Sequence, residues 1–252
     1  MNPKVALFLS LLASFAGAAD AADTIRVRAD EWMPYNGDPT AAQPGYFIEI
    51  LREIYTPAAI DYEQMAWVDA LKQAEDGAID CVIGASRAEA ARLVLPRESI
   101  GRTDTALFVK KESTWSYLAI SSLKDAKLGY ISGYKYWDAF DRYVQDNPTR
   151  VVAFGGETPL DEATRALLEG KIEVFPENRH VFIWKLKESG VSPGAVRTAF
   201  TYEGEEVFVA FSAKNPKAAA HAAAFDVGIR QLRRSGRLAE ILARYGLRDW
   251  ME

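Results

Sequence analysis

The chain has 252 residues, of which 49% are hydrophobic and 26% charged, a composition typical of soluble globular proteins. Its net charge of -5 argues against a general nucleic-acid-binding role, because binding to a phosphate backbone depends on an excess of basic side chains. The sequence contains one cysteine, Cys81, so no intramolecular disulfide can form, and we expect this thiol to pack as a small apolar group in a strand.

The first 21 residues are typical of a secretory signal peptide. Lys4 gives a positive start, residues 5–15 are almost entirely apolar, and small residues at 16–18 and 19–21 fit the cleavage pattern. The apolar stretch is too short to span a bilayer comfortably, and no cysteine after it could carry a lipid anchor. We therefore expect cleavage of residues 1–21 and export of the remaining chain to the periplasm as a soluble monomer.

Strands and helices alternate through the first half of the remaining chain. The apolar pattern predicts a strand at 24–28 and a loop at 31–37. It then predicts a helix at 45–55, which Pro57 ends, and a second strand at 60–65. A helix from residue 67 to 74 precedes a third strand within the stretch 77–87. A short helical turn at 88–91 and a strand at 106–109 complete this half. Polar residues at 110–114 predict a crossing into a second lobe.

The second half has the same alternation. A short helix feeds a strand that ends at residue 131, and helices follow at 137–144, 158–170 and 181–187, with a strand at 151–154. A strand over 206–211 returns the chain to the first lobe through a crossing at 202–207, and helices at 216–234 and 238–245 close the fold. Lobe 1 thus comprises residues 22–111 and 206–252, and lobe 2 comprises residues 112–205. This order predicts an α/β fold with two mostly parallel sheets and helices on both faces.

Two stretches, 77–87 and 170–178, resemble each other. Each begins Gly-x-Ile-acid after a predicted helix and continues with apolar residues. Glycine suits the left-handed position that ends a helix, and the apolar run suits a buried strand. Because ligands bind beyond the carboxyl ends of such strands, we expect a cleft between two lobes.

Several motifs, in order and spacing, resemble the periplasmic solute-binding proteins of polar amino-acid ABC transporters (bacterial extracellular solute-binding protein family 3). They are the Trp-Met-Pro-Tyr loop at 32–35, the Gly-Tyr-Phe-Ile-Glu segment at 45–49, residues 71–92, 123–129 with 132–133, and 233–246. The resemblance implies a two-lobed type II periplasmic-binding-protein fold that closes over a small molecule. It also implies a membrane permease as partner, no cofactor and no catalytic activity.

The same resemblance assigns the residues that hold a ligand carboxylate. Arg92 stands at the position of the carboxylate-binding arginine, twelve residues after Asp80. A guanidinium suits this role because its planar fork matches a carboxylate with two hydrogen bonds. Gly133 and Tyr134 match a helix N-terminus whose backbone N–H groups bind the same carboxylate. We therefore expect Arg92→Ala to weaken binding about a hundredfold or more.

Other positions match the walls and floor of the cleft. Trp32 matches an aromatic residue that covers the ligand, and Trp67 and Tyr35 could add walls, although core packing explains these rings equally well. Gly84 and Ala85 match backbone positions on the floor.

Two positions depart from the family pattern. Asn178 stands where the family commonly has an aspartate for the ligand ammonium, and strand alternation predicts that Glu177 points the other way. Arg87 replaces a small or hydroxylic residue, and it would favour an anionic ligand if it faced the cleft rather than solvent. The ligand class therefore stays open between an amino-acid-like solute and an organic acid.

Two alternatives to transport remain. An enzyme on the same fold, such as a periplasmic dehydratase-like protein, would need a general acid or base, for which Glu31 and Glu177 are the candidates. A sensory or orphan binding protein is the other. The sequence has no phosphate-binding glycine loop, nucleophile elbow or paired-cysteine metal motif, and His180 and His221 are expected on helix surfaces.

Overall fold

The structure is a computed structural model, and it describes residues 24–56, 59–156 and 158–251. The expected signal peptide at 1–21 and Pro57 lie outside the described residues. No helix in the described part of the chain has the length and apolar character needed to cross a membrane.

Strands and helices alternate as the sequence predicts. The strands are β1 (Thr24–Ala29), β2 (Ala59–Gln64), β3 (Cys81–Ala85), β4 (Leu93–Val94), β5 (Gly101–Arg102), β6 (Thr105–Lys110), β7 (Leu128–Ile131), β8 (Val151–Phe154), β9 (Phe175–Asn178), β10 (Val196–Tyr202) and β11 (Glu206–Ser212). The α-helices are α1 (Tyr46–Ile54), α2 (Trp67–Asp76), α3 (Asp138–Asp146), α4 (Pro159–Leu168), α5 (Arg179–Glu188), α6 (Ala218–Ser235) and α7 (Arg237–Ala243), and 3-10 turns cover Ile120–Asp125 and Pro193–Ala195.

The first sheet has the strand order β2-β1-β3-β11-β4, with β5 also paired to β11. β1 runs parallel to β2 and β3, whereas β11 runs antiparallel to its neighbours. The return of β11 to this sheet agrees with the predicted second crossing. Because β1 and β3 run parallel, their carboxyl ends meet at the same edge of the sheet.

The second group of strands contains the order β10-β6-β9 and the parallel pair β7-β8. A bridge between Leu128 and Val174 joins them. The structure corrects the expected position of the first crossing, because β6 pairs antiparallel with β9 and β10 rather than with the first sheet. The chain therefore passes into the second group at 103–104, between β5 and β6, instead of at 110–114.

Each group of strands has its own apolar core. In the first, α1 packs against α6 and α7, and its buried Phe47, Ile50 and Leu51 recur at helical spacing. Cys81 is buried in this core without a disulfide, as predicted. In the second, Phe108, Phe175 and other apolar side chains pack under α4 and α5.

The two similar sequence stretches have similar local structure. Gly77 and Gly170 both have positive φ values, 80° and 73°, after α2 and α4 respectively. A side chain is strained in this left-handed conformation, so glycine allows the chain to end each helix and turn into the next strand. The prediction of two glycine-ended helices is confirmed.

Candidate functional site

A cleft lies where the two groups of strands meet. Its inner chamber, of about 90 Å³, adjoins an outer chamber of about 640 Å³, and the two share part of their walls. The carboxyl ends of β1, β3 and β9 contribute to the inner chamber, as expected for an α/β fold. The residues that line it are Asp30, Trp32, Trp67, Ile83, Gly84, Ser86, Glu89, Thr103, Thr105, Tyr134, Lys135, Tyr136, Glu177, Asn178, Glu205 and Val207.

Asp30 follows directly after β1 and connects the two sides of the cleft. Its Oδ2 accepts a hydrogen bond of 2.6 Å from the hydroxyl of Tyr134, which belongs to the opposite side. Burial raises the pKa of Asp30 to about 6, although the hydrogen bond from Tyr134 opposes this shift. Nearby Glu89 also raises it.

Glu177 is the second carboxyl of the cleft. Its side chain is 2% exposed, and Oε1 accepts a hydrogen bond of 2.7 Å from the backbone N–H of Asn178. Its Oε2 has no hydrogen-bond partner among the described residues. Burial raises the pKa of Glu177 to about 8, and the carboxyl of Asp30 contributes to the shift. Glu177 therefore lines the chamber with a buried carboxyl oxygen, and the neighbouring Trp32 opposes the rise in its pKa.

The inner chamber is predominantly acidic. Asp30, Glu89, Glu177 and Glu205 line it, whereas Lys135 is the one basic side chain among its described lining residues. Glu177 is buried, Asp30 is partly buried, and both have raised pKa values. A cation placed between them would favour the charged form of both.

Asn178 has a structural role that the sequence did not reveal. Its Oδ1 accepts hydrogen bonds from the backbone N–H groups of His180 and Val181, which caps the N-terminus of α5. Its Nδ2 donates to the hydroxyl of Tyr35 at 3.0 Å. Asn178 lines the chamber, but these contacts use its amide. Tyr35 is buried behind the chamber and is absent from its lining.

Aromatic side chains form the walls. Trp32 and Trp67 both line the chamber, together with Tyr134 and Tyr136. Trp32 lies against Gly84, where an added Cβ would approach the indole to 3.2 Å. Gly84 also has a φ of 90°, so two features of the site favour glycine here. The indole N–H of Trp67 donates to Glu89 at 2.9 Å, which orients both side chains.

The expected helix N-terminus at Gly133 and Tyr134 is not found. α3 begins at Asp138, and the backbone N–H of Tyr134 donates to the carbonyl of Ile131. Residues 132–137 form a non-helical segment, so their N–H groups do not converge as they would in a first helical turn. Gly133 is exposed and lies near Val68, while Tyr134 contributes its ring and hydroxyl to the cleft.

Arg92 does not reach the cleft. Its side chain is 80% exposed and pairs with Glu75 of α2 at 3.2 Å. Arg87 is also exposed, and its guanidinium stacks on Phe208 at 4.2 Å from the ring centre. Ala85 is buried in the core beneath the sheet and is not part of the chamber lining. The turn after β3 directs both arginines away from the chamber, so neither Arg92 nor Arg87 is among its described lining residues.

Sequence reasoning missed Asp30 and Glu89, and it gave two different expectations for Glu177, as a candidate acid of the cleft and as a side chain that points away from Asn178. Strand alternation predicted that Glu177 points away from the side occupied by Asn178, but β9 ends at these residues and both line the chamber. The position of Asp30 directly after a strand was a usable signal, because side chains at that edge of a sheet converge on the cleft. Glu31, the other candidate acid, is exposed and lies outside the chamber lining.

No protein-family model matches the chain, and no curated protein is similar to it in sequence. Solved structures are similar in fold. A histidine kinase sensor domain with similarity to periplasmic binding proteins has a TM-score of 0.72 at 19% identity, over 88% of this chain and 95% of that one. The fold is that of the periplasmic binding proteins.

Two further structures support the same fold. An ancestral arginine-binding protein bound to arginine has a TM-score of 0.72 at 16% identity, over 88% of this chain and 97% of that one. The arginine-, lysine-, histidine-binding protein ArtJ from Geobacillus stearothermophilus has a TM-score of 0.70 at 16% identity, over 88% of this chain and 95% of that one. The predicted two-lobed α/β fold is confirmed. The expectation of mostly parallel sheets is wrong, because β11 runs antiparallel to β3, β4 and β5, and β6 runs antiparallel to β9 and β10.

Proposed function

We propose that the protein binds a small solute with an ammonium group in the cleft and delivers it to the membrane permease of an ABC transporter. The observation that carries this proposal is a pair of carboxyls, those of the buried Glu177 and the partly buried Asp30, which line one chamber without an arginine among its described lining residues. A buried carboxylate is costly unless a cation or hydrogen bonds compensate it. An ammonium group would supply both the positive charge and the hydrogen-bond donors.

The aromatic walls suit the same ligand class. A cation within about 6 Å of an aromatic ring centre is attracted to the ring face, and Trp32, Trp67 and Tyr134 line the chamber with the two acids. An organic acid without an amine would face unfavourable charges. If the solute also carries a carboxylate, Lys135 at the inner chamber and Arg142 at the outer chamber are the basic groups that could pair with it.

Two of the similar structures are of proteins whose named solutes carry an ammonium group. One was solved with arginine bound, and another is named for binding arginine, lysine and histidine. Each of these solutes carries an ammonium group. At 16% identity this similarity establishes fold alone, so the ligand class of the present chain rests on its own carboxyls.

Closure of the lobes would bury the solute. We propose two lobes that move about the chain crossings at 103–104 and 203–205, with residues 24–103 and 206–251 on one side and 104–205 on the other. The Tyr134–Asp30 hydrogen bond spans these lobes. A solute that contacts both sides would stabilise the closed form. Export to the periplasm as a monomer, with removal of residues 1–21, completes the proposal.

Titration calorimetry with three solutes of similar length tests the ligand class: cadaverine, lysine and pimelate, which carry amines only, both groups, and carboxylates only. We expect binding of an amine-bearing solute and none of pimelate. Asp30→Asn and Glu177→Gln should each weaken amine binding about tenfold to a hundredfold, because each removes one partner of a buried charge pair.

Two control variants accompany this experiment. Glu112→Gln removes an exposed acid outside the cleft, and Arg92→Ala removes the exposed arginine that pairs with Glu75. Both should bind the amine as the wild type does. Tighter binding of pimelate than of either amine, or a large loss in Arg92→Ala, would contradict the proposal.

A catalytic role is the second candidate, and Glu177 is the observation that favours it. A buried carboxyl with a pKa of about 8 is protonated at neutral pH and could act as a general acid. Mass spectrometry of the bound solute after prolonged incubation separates the two functions. An unchanged mass supports binding alone, whereas a product that Glu177→Gln fails to form supports an enzyme.

A further inference from the structure

A second cavity of about 450 Å³ lies on another face of the chain crossing. Arg102, Thr103 and Asp104, which connect β5 to β6, form part of its wall. The C-terminal segment contributes Arg248 and Trp250, and His180 contributes from the start of α5. Residues from both proposed lobes therefore line this open cavity, which we call the crossing cavity.

The crossing cavity is separate from the ligand cleft. Thr103 lines both, but the buried ring of Tyr35 lines the crossing cavity alone. The Tyr35 hydroxyl contacts Asn178 of the cleft and donates to the carbonyl of Arg102 at 3.3 Å. A ligand in one cavity would thus lie behind the wall of the other.

The charges of the crossing cavity are opposite to those of the cleft. Arg102 and Arg248 line it, and neither guanidinium has a hydrogen bond or ion pair with another described residue. Asp104 is the acid of the wall, and it is already paired with Arg179 at 2.8 Å. Two uncompensated guanidinium groups in one concave wall attract an anion, with carboxylate and phosphate as their preferred partners.

The rest of the wall is largely aromatic and apolar. The rings of Tyr35, Tyr46 and Trp250 line it together with Leu242 and Leu247. A flat apolar group could pack on these rings while its charged group contacts the arginines. His180 is partly buried, and burial lowers its pKa, so its neutral imidazole can donate one further hydrogen bond.

We propose that the crossing cavity is a second binding site, for a small aromatic anion held by Arg102 and Arg248. The site is independent of the amine-binding function proposed for the cleft. It combines two cations, a hydrogen-bond donor and an aromatic wall in a cavity large enough for a single-ring compound.

Benzoate is the probe, and titration calorimetry on the full mature chain is the measurement. We expect saturable binding with a dissociation constant below about 1 mM, and at least about tenfold weaker binding in Arg102→Ala and in Arg248→Ala. Inorganic phosphate, which has the charge without the ring, should bind more weakly than benzoate. Circular dichroism on each variant confirms that the fold is retained.

Two variants serve as controls. Arg234→Ala removes an exposed arginine that, like the two cavity arginines, has no ion pair with another described residue, and it should bind benzoate normally. Glu177→Gln alters the cleft and should also leave benzoate affinity unchanged, which separates this proposal from the proposed function. No saturable binding up to about 10 mM, or an equal loss in Arg234→Ala, would overturn the proposal.

Discussion

Asp30 and Glu177 make the cleft sensitive to pH. In the folded chain the pKa of Glu177 is about 8 and that of Asp30 about 6, against ordinary values of 4.5 and 3.8. The folded state therefore binds protons that the unfolded state releases. The stability that these protons contribute is complete below pH 4 and is lost as the pH rises through 6 and then 8.

This loss of stability with rising pH gives a prediction for the protein without solute. Its free energy of unfolding should fall between pH 5 and pH 9, and Glu177→Gln should reduce that fall by about 1–4 kcal/mol. Urea unfolding at pH 5, 7 and 9 measures the effect, with Glu112→Gln, an exposed acid, as the control. A profile for Glu177→Gln that matches the wild type would show that Glu177 is already ionised at neutral pH.

Individual residues differ in how well the sequence predicted their positions. Trp32 and Gly84, which were expected at the cleft, line the chamber. Arg92 was assigned by spacing from Asp80, but a turn of irregular backbone lies between them, and its exact path decides which way each side chain points. Spacing predicts direction within a helix or strand and loses that power across such a turn.

The junction of β9 and α5 links the cleft to the fold. Asn178 ends the strand, caps the helix and bonds the Tyr35 hydroxyl of the other proposed lobe. A side chain that accepts from two backbone N–H groups stabilises the first turn of a helix. The residue at the family's ammonium-binding position thus holds the helix next to Glu177.

Asn178→Ala should lower the free energy of unfolding by about 1–2 kcal/mol, because the cap and the bond to Tyr35 are both lost. Thr158→Ala is the matched control, since Thr158 precedes α4 without a side-chain capping bond. Urea unfolding measures both variants, and the slope with denaturant should stay unchanged. Equal stability losses in the two variants would show that the Asn178 cap contributes nothing specific.

At the scale of elements, the order of strands and helices could be predicted, but not every pairing. Apolar patterns identified β1, β2, β3, β8 and α1 close to their observed bounds. β6 was assigned to the wrong lobe because its run of apolar residues fits either sheet, and its partners β9 and β10 are far away in sequence. β10 itself was missed, since exposed residues interrupt its apolar pattern.

The whole molecule combines two crossings, an acidic cleft and a contact between its sides. The Tyr134–Asp30 hydrogen bond occupies one of the two carboxyls, so an incoming ammonium group would compete with the Tyr134 hydroxyl for Asp30. The overall two-lobed fold was predictable because similar α/β units repeat along the chain. The negative charge of the cleft was not predictable from the sequence, because it depends on which side chains two separate sheets bring together.

The most direct test of the ammonium-binding claim is mass spectrometry of solutes retained by the protein. The protein is incubated with an equimolar mixture of amino acids, their decarboxylated amines and their deaminated acids, and the retained fraction is collected by ultrafiltration and identified. We expect every retained solute to carry an amine, and Glu177→Gln to retain less of it. Retention of deaminated acids without any amine would contradict the account.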